Sequence, residues 1–175
     1  MLLNSQVHKN FWQKLWTLDV PNKVRHFMWR ACNESLPTKL NLYKRKVTSN
    51  SRCDLCHHEI EDSIHDLWGC IRLKEIWWEE QTCRNLLQEN FASFWDQFQG
   101  FLHYKRPMLA ETFAVIAWSI WYNRNARRMG KSSLPTHKIY ADAVERLSEF
   151  HKAHSPPLIQ ALDPTPPPNL VREHP

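Results

Sequence analysis

Residues 53–70, CDLCHHEIEDSIHDLWGC, decide how the rest of this 175-residue chain is read. The stretch is polar and short, so it cannot offset its own ordering entropy with a private hydrophobic core and needs a cross-link or a metal. Its spacing is C-x2-C-x8-H-x4-C. Two cysteines separated by two residues aim both sulfurs at one point from a tight turn, and a His/Cys pair five positions apart closes a tetrahedron from a following turn or short helix. Three thiolates and an imidazole suit zinc, and four protein ligands leave no position for water, so the site expected at Cys53, Cys56, His65 and Cys70 is structural. His57 and His58 are poorer fourth ligands, because side chains adjacent to Cys56 would have to converge on the same ion. Zinc binding would become folding free energy for this segment, on the order of 10 kcal/mol.

A disulfide framework fits less well. The chain has five cysteines, and its first residues, MLLNSQVHKNF, lack the apolar run of a secretory signal, so a reducing, intracellular compartment is expected, nucleus and cytoplasm not being distinguished. Cys32 and Cys83 fall in apolar helical stripes and read as small buried hydrophobes. No window holds the roughly 18 consecutive apolar residues of a membrane span. Three glycines against 21 aromatic residues argue against a glycine-rich phosphate loop or a turn-rich β-sandwich. The expectation is a mainly α fold, a small helical domain stapled by one Cys/His loop, with no small-molecule substrate.

Outward from the cysteines, Phe11, Leu15 and Leu18 share one side of a short helix that Val20-Pro21 ends. Val24, Phe27, Met28 and Ala31 follow at i, i+3, i+4 and i+7, a buried stripe, with Lys23, His26 and Arg30 on the other face. Thr38 is placed to cap a third helix carrying Leu40, Leu42 and Tyr43. Beyond the cysteines, helical spacing links Leu73, Ile76, Trp77, Leu86 and Leu87, then Phe91, Phe94, Trp95 and Phe98. The longest helix is expected over 109–129, with Arg124, Arg127 and Arg128 at a basic C-terminal end favoured by the helix dipole and Gly130 as its stop. A last helix is expected over 136–151, followed by an extended tail that holds most of the prolines. The organisation expected is a flexible 1–10, a zinc domain over 11–85, a helical extension over 86–151 and a disordered 152–175.

Charge is segregated along the chain. Residues 1–52 carry ten Lys/Arg against two acids, residues 53–100 three against ten, and residues 101–129 five against one. The basic end suits a polyanion and the acidic middle does not.

The run from Phe11-Trp12 and Leu15-Trp16, through VPNKVRHFMWR at Val20–Arg30, LPTKLNL at Leu36–Leu42 and CDLC, to His65, Cys70 and Ile76-Trp77 resembles the zinc-binding domain downstream of reverse transcriptase in plant non-LTR, LINE-type retrotransposons. Asp54 stands where that family usually has proline. WSIWYNRN at Trp118–Asn125 resembles the segment between that module and a ribonuclease H domain, and PPPN at Pro166–Asn169 the lead-in to the nuclease. The spaced carboxylates a ribonuclease H site needs for its metal ions do not follow Asn169, and there is no paired-Asp polymerase motif, so a noncatalytic part of a mobile-element polyprotein is expected.

Three roles stay open on this reading. Lys23, His26, Arg30, Lys44, Arg45 and Lys46, interleaved with tryptophans, would hold RNA or DNA, cations on phosphates and rings on unpaired bases. A zinc-ordered scaffold would instead engage protein partners, or a second copy, through its aromatic helices. A degenerate retroelement fragment with no selected role is the third.

Overall fold

The computed structural model describes residues 2–154 apart from Lys105 and Pro107. Helices α1 (Leu2–Thr17), α2 (Asn22–Cys32) and α3 (Lys39–Lys44) precede the Cys/His loop; α4 (Lys74–Trp78), α5 (Gln81–Leu86), α6 (Phe94–His103), α7 (Leu109–Arg128) and α8 (Thr136–His154) follow it. Among the described residues there is no strand, only an isolated antiparallel bridge between Arg52 and Ile60 inside the loop. The mainly α expectation is met. Among the described residues no helix is long and apolar enough to cross a membrane.

The first two helices carry the buried stripes read from their periodicity: Phe11, Leu15 and Leu18 from the α1 side, and Val24, Phe27, Met28 and Ala31 from α2, whereas α3 buries none of its residues fully. Arg25 joins the two helices by donating from Nη1 to the Trp16 and Leu18 carbonyls at 3.2 and 3.5 Å, which satisfies acceptors left open at the end of α1. Thr38 caps α3 as expected, its hydroxyl accepting from the Asn41 N–H at 3.3 Å.

Helix α1 starts at Leu2 rather than near Phe11, so the stretch expected to be flexible is helical. One cause lies outside the helix: the His8 ring stacks on Trp95 at 5.1 Å, a contact between distant residues that periodicity does not register. The pattern over 73–87 is likewise not one helix. It breaks at Glu80, a buried acid whose side chain caps α5 by accepting from the Thr82 N–H and pairs with Arg106. Leu87 and Phe91 lie outside any helix. Helix α8 runs to His154, three residues past its expected end; the rest of the expected tail lies outside the described residues.

Helix α7 is the organiser, packing against α2, α6, α8 and the turn that carries His65. Phe113, near its N-terminal end, is stacked with Trp77, Phe94, Phe98 and Phe101, with ring centroids 4.1 to 5.9 Å apart, and touches Trp68 of the Cys/His loop at 6.0 Å. Helix α7 ends in a complete Schellman turn. Gly130 adopts φ +65°, its N–H meets the Arg127 carbonyl at 3.1 Å, and the Lys131 N–H meets the Ala126 carbonyl at 2.8 Å. That stop leaves Arg124 and Arg128 facing the Cys/His loop, as their contacts below establish.

Candidate metal centre

The first two ligands come from a knuckle. Cys53 N–H bonds the Glu59 carbonyl and His57 N–H bonds the Cys53 carbonyl, both at 2.9 Å, and the Leu55 N–H reaches the Cys53 sulfur at 3.3 Å. His57 takes the left-handed conformation, φ +61°, needed to turn the chain this tightly. The other two ligands bracket a π-helical turn, His65–Gly69, in which the Cys70 N–H bonds the His65 carbonyl at 3.1 Å. This i to i+5 closure brings the first and sixth residues to one side of the turn. The Asp62 carboxylate fixes its entry by accepting from the His65 N–H at 2.8 Å.

All four ligand atoms lie within 4.8 Å of one another, and the four residues are buried. A tetrahedral zinc with Zn–S of about 2.3 Å and Zn–N of about 2.0–2.1 Å has edges of about 3.8 Å between sulfurs and about 3.6 Å between sulfur and nitrogen. The Cys53 and Cys70 sulfurs are 3.8 Å apart, and the Cys56 sulfur is 3.4 Å from His65 Nε2. The donor set therefore fits one structural zinc ion. His57 and His58 are exposed on the knuckle's outer side, and Cys32 and Cys83 are buried elsewhere as unliganded thiols whose pKa values burial pushes up.

Two of the three thiols, Cys53 and Cys56, are held below their ordinary range, while Cys70 is pushed up by its hydrogen bond to Cys53 and by burial. Hydrogen bonding from Cys70, then from His65 and Arg124, holds the Cys53 thiol far below its ordinary range against the opposing effect of burial. For Cys56, burial is outweighed by the Glu59 and His58 backbone N–H groups, which also lower it.

Beneath the knuckle lies an ion-pair network. Arg124, buried in α7, contacts Glu61 Oε2 at 2.6 Å, Asp66 Oδ1 at 2.5 Å and the Cys53 sulfur at 3.3 Å. Arg128, one turn on, reaches Glu61 at 2.5 Å and Asp54 at 2.9 Å, while Lys39 pairs with Asp54 and its N–H donates to Glu61 at 3.0 Å. Both Glu61 and Asp66 are fully buried. Burial pushes the Asp66 carboxyl up to about 7, against the pull of Arg124.

This network corrects one expectation. The basic end of α7 is not simply an exposed partner for the helix dipole, because Arg124 is 5 % exposed and spends its donors on the loop. Leu67 and Trp68 of the loop are buried in the core that the helices share. Glu61, Asp66, Arg124, Arg128 and Lys39 were not identified from spacing. The signal that could have found them is the acidic 53–100 followed by the basic 101–129, opposite charges that neutralise each other inside the fold. Within WSIWYNRN the roles divide: Trp118 lies under the Lys23 ammonium at 4.4 Å, Trp121 packs on Phe27, Asn123 accepts from the Leu134 N–H at 2.7 Å, and Arg124 holds the loop.

The six cations expected to hold nucleic acid occupy two helices. On α2, Lys23 sits over Trp118, His26 packs edge-on to Trp16 at 5.2 Å, and Arg30 donates to the Ser35 carbonyl at 3.2 Å. At the C-terminal end of α3, Lys44, Arg45 and Lys46 are exposed. Lys44, Arg45 and Lys46 form no ion pair among the described residues, whereas Lys39 at the start of the same helix pairs with Asp54.

Residues 1–77 match the family described as zinc-binding in reverse transcriptase. A protein of Arabidopsis thaliana named "Putative ribonuclease H protein" is 24 % identical over 152 residues, 83 % of this chain and 24 % of its own length, so the chain spans about a quarter of that relative. No solved structure matches. The matched segment contains all four ligands and ends at Trp77, where the aromatic core takes over. Over residues 1–77, less than half of its length, this chain is thus similar to the family described as zinc-binding in reverse transcriptase, and Cys53, Cys56, His65 and Cys70 within that segment are the set that can hold a single zinc ion.

Proposed function

We propose that this chain is a noncatalytic, zinc-ordered module of a retrotransposon-derived protein that binds RNA or DNA through the basic surface of α2 and α3. The observation that carries the reading is where the charges go. Three of the five carboxylates of the zinc loop, Asp54, Glu61 and Asp66, are consumed internally by Arg124, Arg128 and Lys39. Arg45 and Lys46 have no carboxylate partner among the described residues, so the cations of the N-terminal helices remain available to phosphates. Zinc is a staple in this scheme: it orders the loop against which α3 docks, through the Leu40 N–H to Glu61 carbonyl bond at 3.0 Å.

The test is the salt dependence of affinity for RNA and DNA. Binding is expected at low ionic strength and to weaken as salt rises, and K44E/R45E/K46E is expected to reduce the single-strand log–log salt slope by about 2, three contacts at roughly 0.7 each. No binding at low salt, or binding indifferent to salt, removes the proposal. Incubation of the purified chain with an RNA–DNA hybrid and divalent metal tests the noncatalytic half; specific cleavage of the RNA strand would overturn it.

A scaffold role has one observation in its favour. Ile60, Ile71 and Trp78, each more than half exposed, belong to the acidic central segment rather than to the basic helices. Concentration-dependent self-association that persists at high salt would support that reading.

A further inference from the structure

We propose that the solvent face of α2 is a track for single-stranded nucleic acid, with an unpaired base stacked on Trp29 and duplex bound less well. This deepens the function proposed above and rests on it. Helix α2, NKVRHFMWRAC, contains four cationic or titratable basic side chains and no acid. Its apolar stripe is buried, which leaves His26, Trp29 and Arg30 on the outer side, three and four residues apart and therefore neighbours on the helix surface.

Trp29 is the anomaly on this face. All nine tryptophans lie among the described residues, and eight of them make a ring–ring or cation–π contact. Trp29 makes none and is 42 % exposed. Nearby, Trp16 is also exposed and is held edge-on by His26, so aromatic surface extends from α2 to the end of α1. Arg30 is bound only to the Ser35 carbonyl.

The nearest acid in sequence beyond the helix is Glu34, whose carboxyl feels the Lys44 charge on the α3 side. A face with cations, free indole surface and no carboxylate complements a ligand that offers both phosphates and unstacked bases. A duplex offers the phosphates but keeps its base faces covered, whereas a single strand offers both.

The experiment is fluorescence anisotropy on the full zinc-loaded chain with labelled single-stranded RNA and DNA of about 15 nucleotides, and with duplexes of the same length. Single strands are expected to bind more tightly than duplexes. W29A is expected to weaken single-strand affinity by about 5- to 150-fold, the range for one base–aromatic stack, while leaving duplex affinity and the salt slope unchanged. W29F, which keeps a stacking ring, is expected to retain most of the affinity and serves as the folding control. Equal affinity for single strand and duplex, or a W29A protein that binds single strands as well as the parent, overturns this inference; if K44E/R45E/K46E still reduces the salt slope in that case, the broader nucleic-acid function survives it. A parent protein that binds neither ligand at low salt overturns both.

Discussion

Replacing Arg124 with methionine removes the guanidinium that joins α7 to the zinc loop while keeping a long apolar stem. Two fully buried carboxylates, Glu61 and Asp66, then each lose a guanidinium partner, and the Cys53 sulfur loses a donor. At an effective dielectric near 20, each unit-charge pair at about 4 Å is worth about 4 kcal/mol before desolvation. Desolvating the guanidinium costs several kcal/mol, so the net is far below the sum of two pairs. Removing one partner of a buried pair usually costs about 3–5 kcal/mol, because the other charge is stranded. Arg128 still reaches Glu61 at 2.5 Å and Asp66 at 3.8 Å, which places R124M near the lower limit, about 3 kcal/mol. For a domain of this size that corresponds to a Tm lower by roughly 6–12 °C. Urea unfolding of the zinc-saturated proteins measures the loss. R124M/E61Q/D66N, in which no unpaired carboxylate is left, is expected to recover most of it. A loss under about 1 kcal/mol, or a triple variant no more stable than R124M, would refute the account of the network as a charge-balanced tie.

Chelating the zinc is expected to abolish amide-exchange protection over 53–70 and to loosen the last turns of α7, since Arg124 would then clamp an unfolded loop; hydrogen exchange with and without chelator reads this, and an unchanged α7 end would contradict it. Stoichiometric zinc, measured by elemental analysis, is expected in the parent and in the H57A and H58A proteins but not after C53S, C56S, H65A or C70S; a C53S protein that keeps a full equivalent of tightly bound zinc defeats the ligand assignment. F113A removes the ring that five other aromatic residues contact and is expected to cost about 3–5 kcal/mol in chemical unfolding, so a change near zero would show that the cluster is not the core it is taken to be.

Much of this protein is readable from local pattern. The spacing of Cys53, Cys56, His65 and Cys70 is enough to choose His65 over His57 and His58, because ligand geometry over a few residues is governed by the chain's own turns. The stripes of α1 and α2, the Thr38 cap and the Gly130 stop are local for the same reason: hydrogen bonds between residues three to six apart enforce them. Where a long-range contact competes with a local pattern, the pattern misleads. His8 stacking on Trp95 extends α1 to Leu2, and Glu80, paired with Arg106, divides the apolar run of 73–87.

Which cations are free for a partner is a matter of tertiary structure alone. Arg124 and Arg45 are the same residue type in equally basic surroundings along the chain. Only the packing of α7 against the zinc loop buries the first against Glu61 and Asp66, 63 and 58 residues away in sequence, and leaves the second in solvent. Local sequence pattern determined that a helical, zinc-stapled domain with separated charge would form. The fold decided which of those charges cancel, because Coulomb attraction depends on distance in space and the order of residues does not specify it.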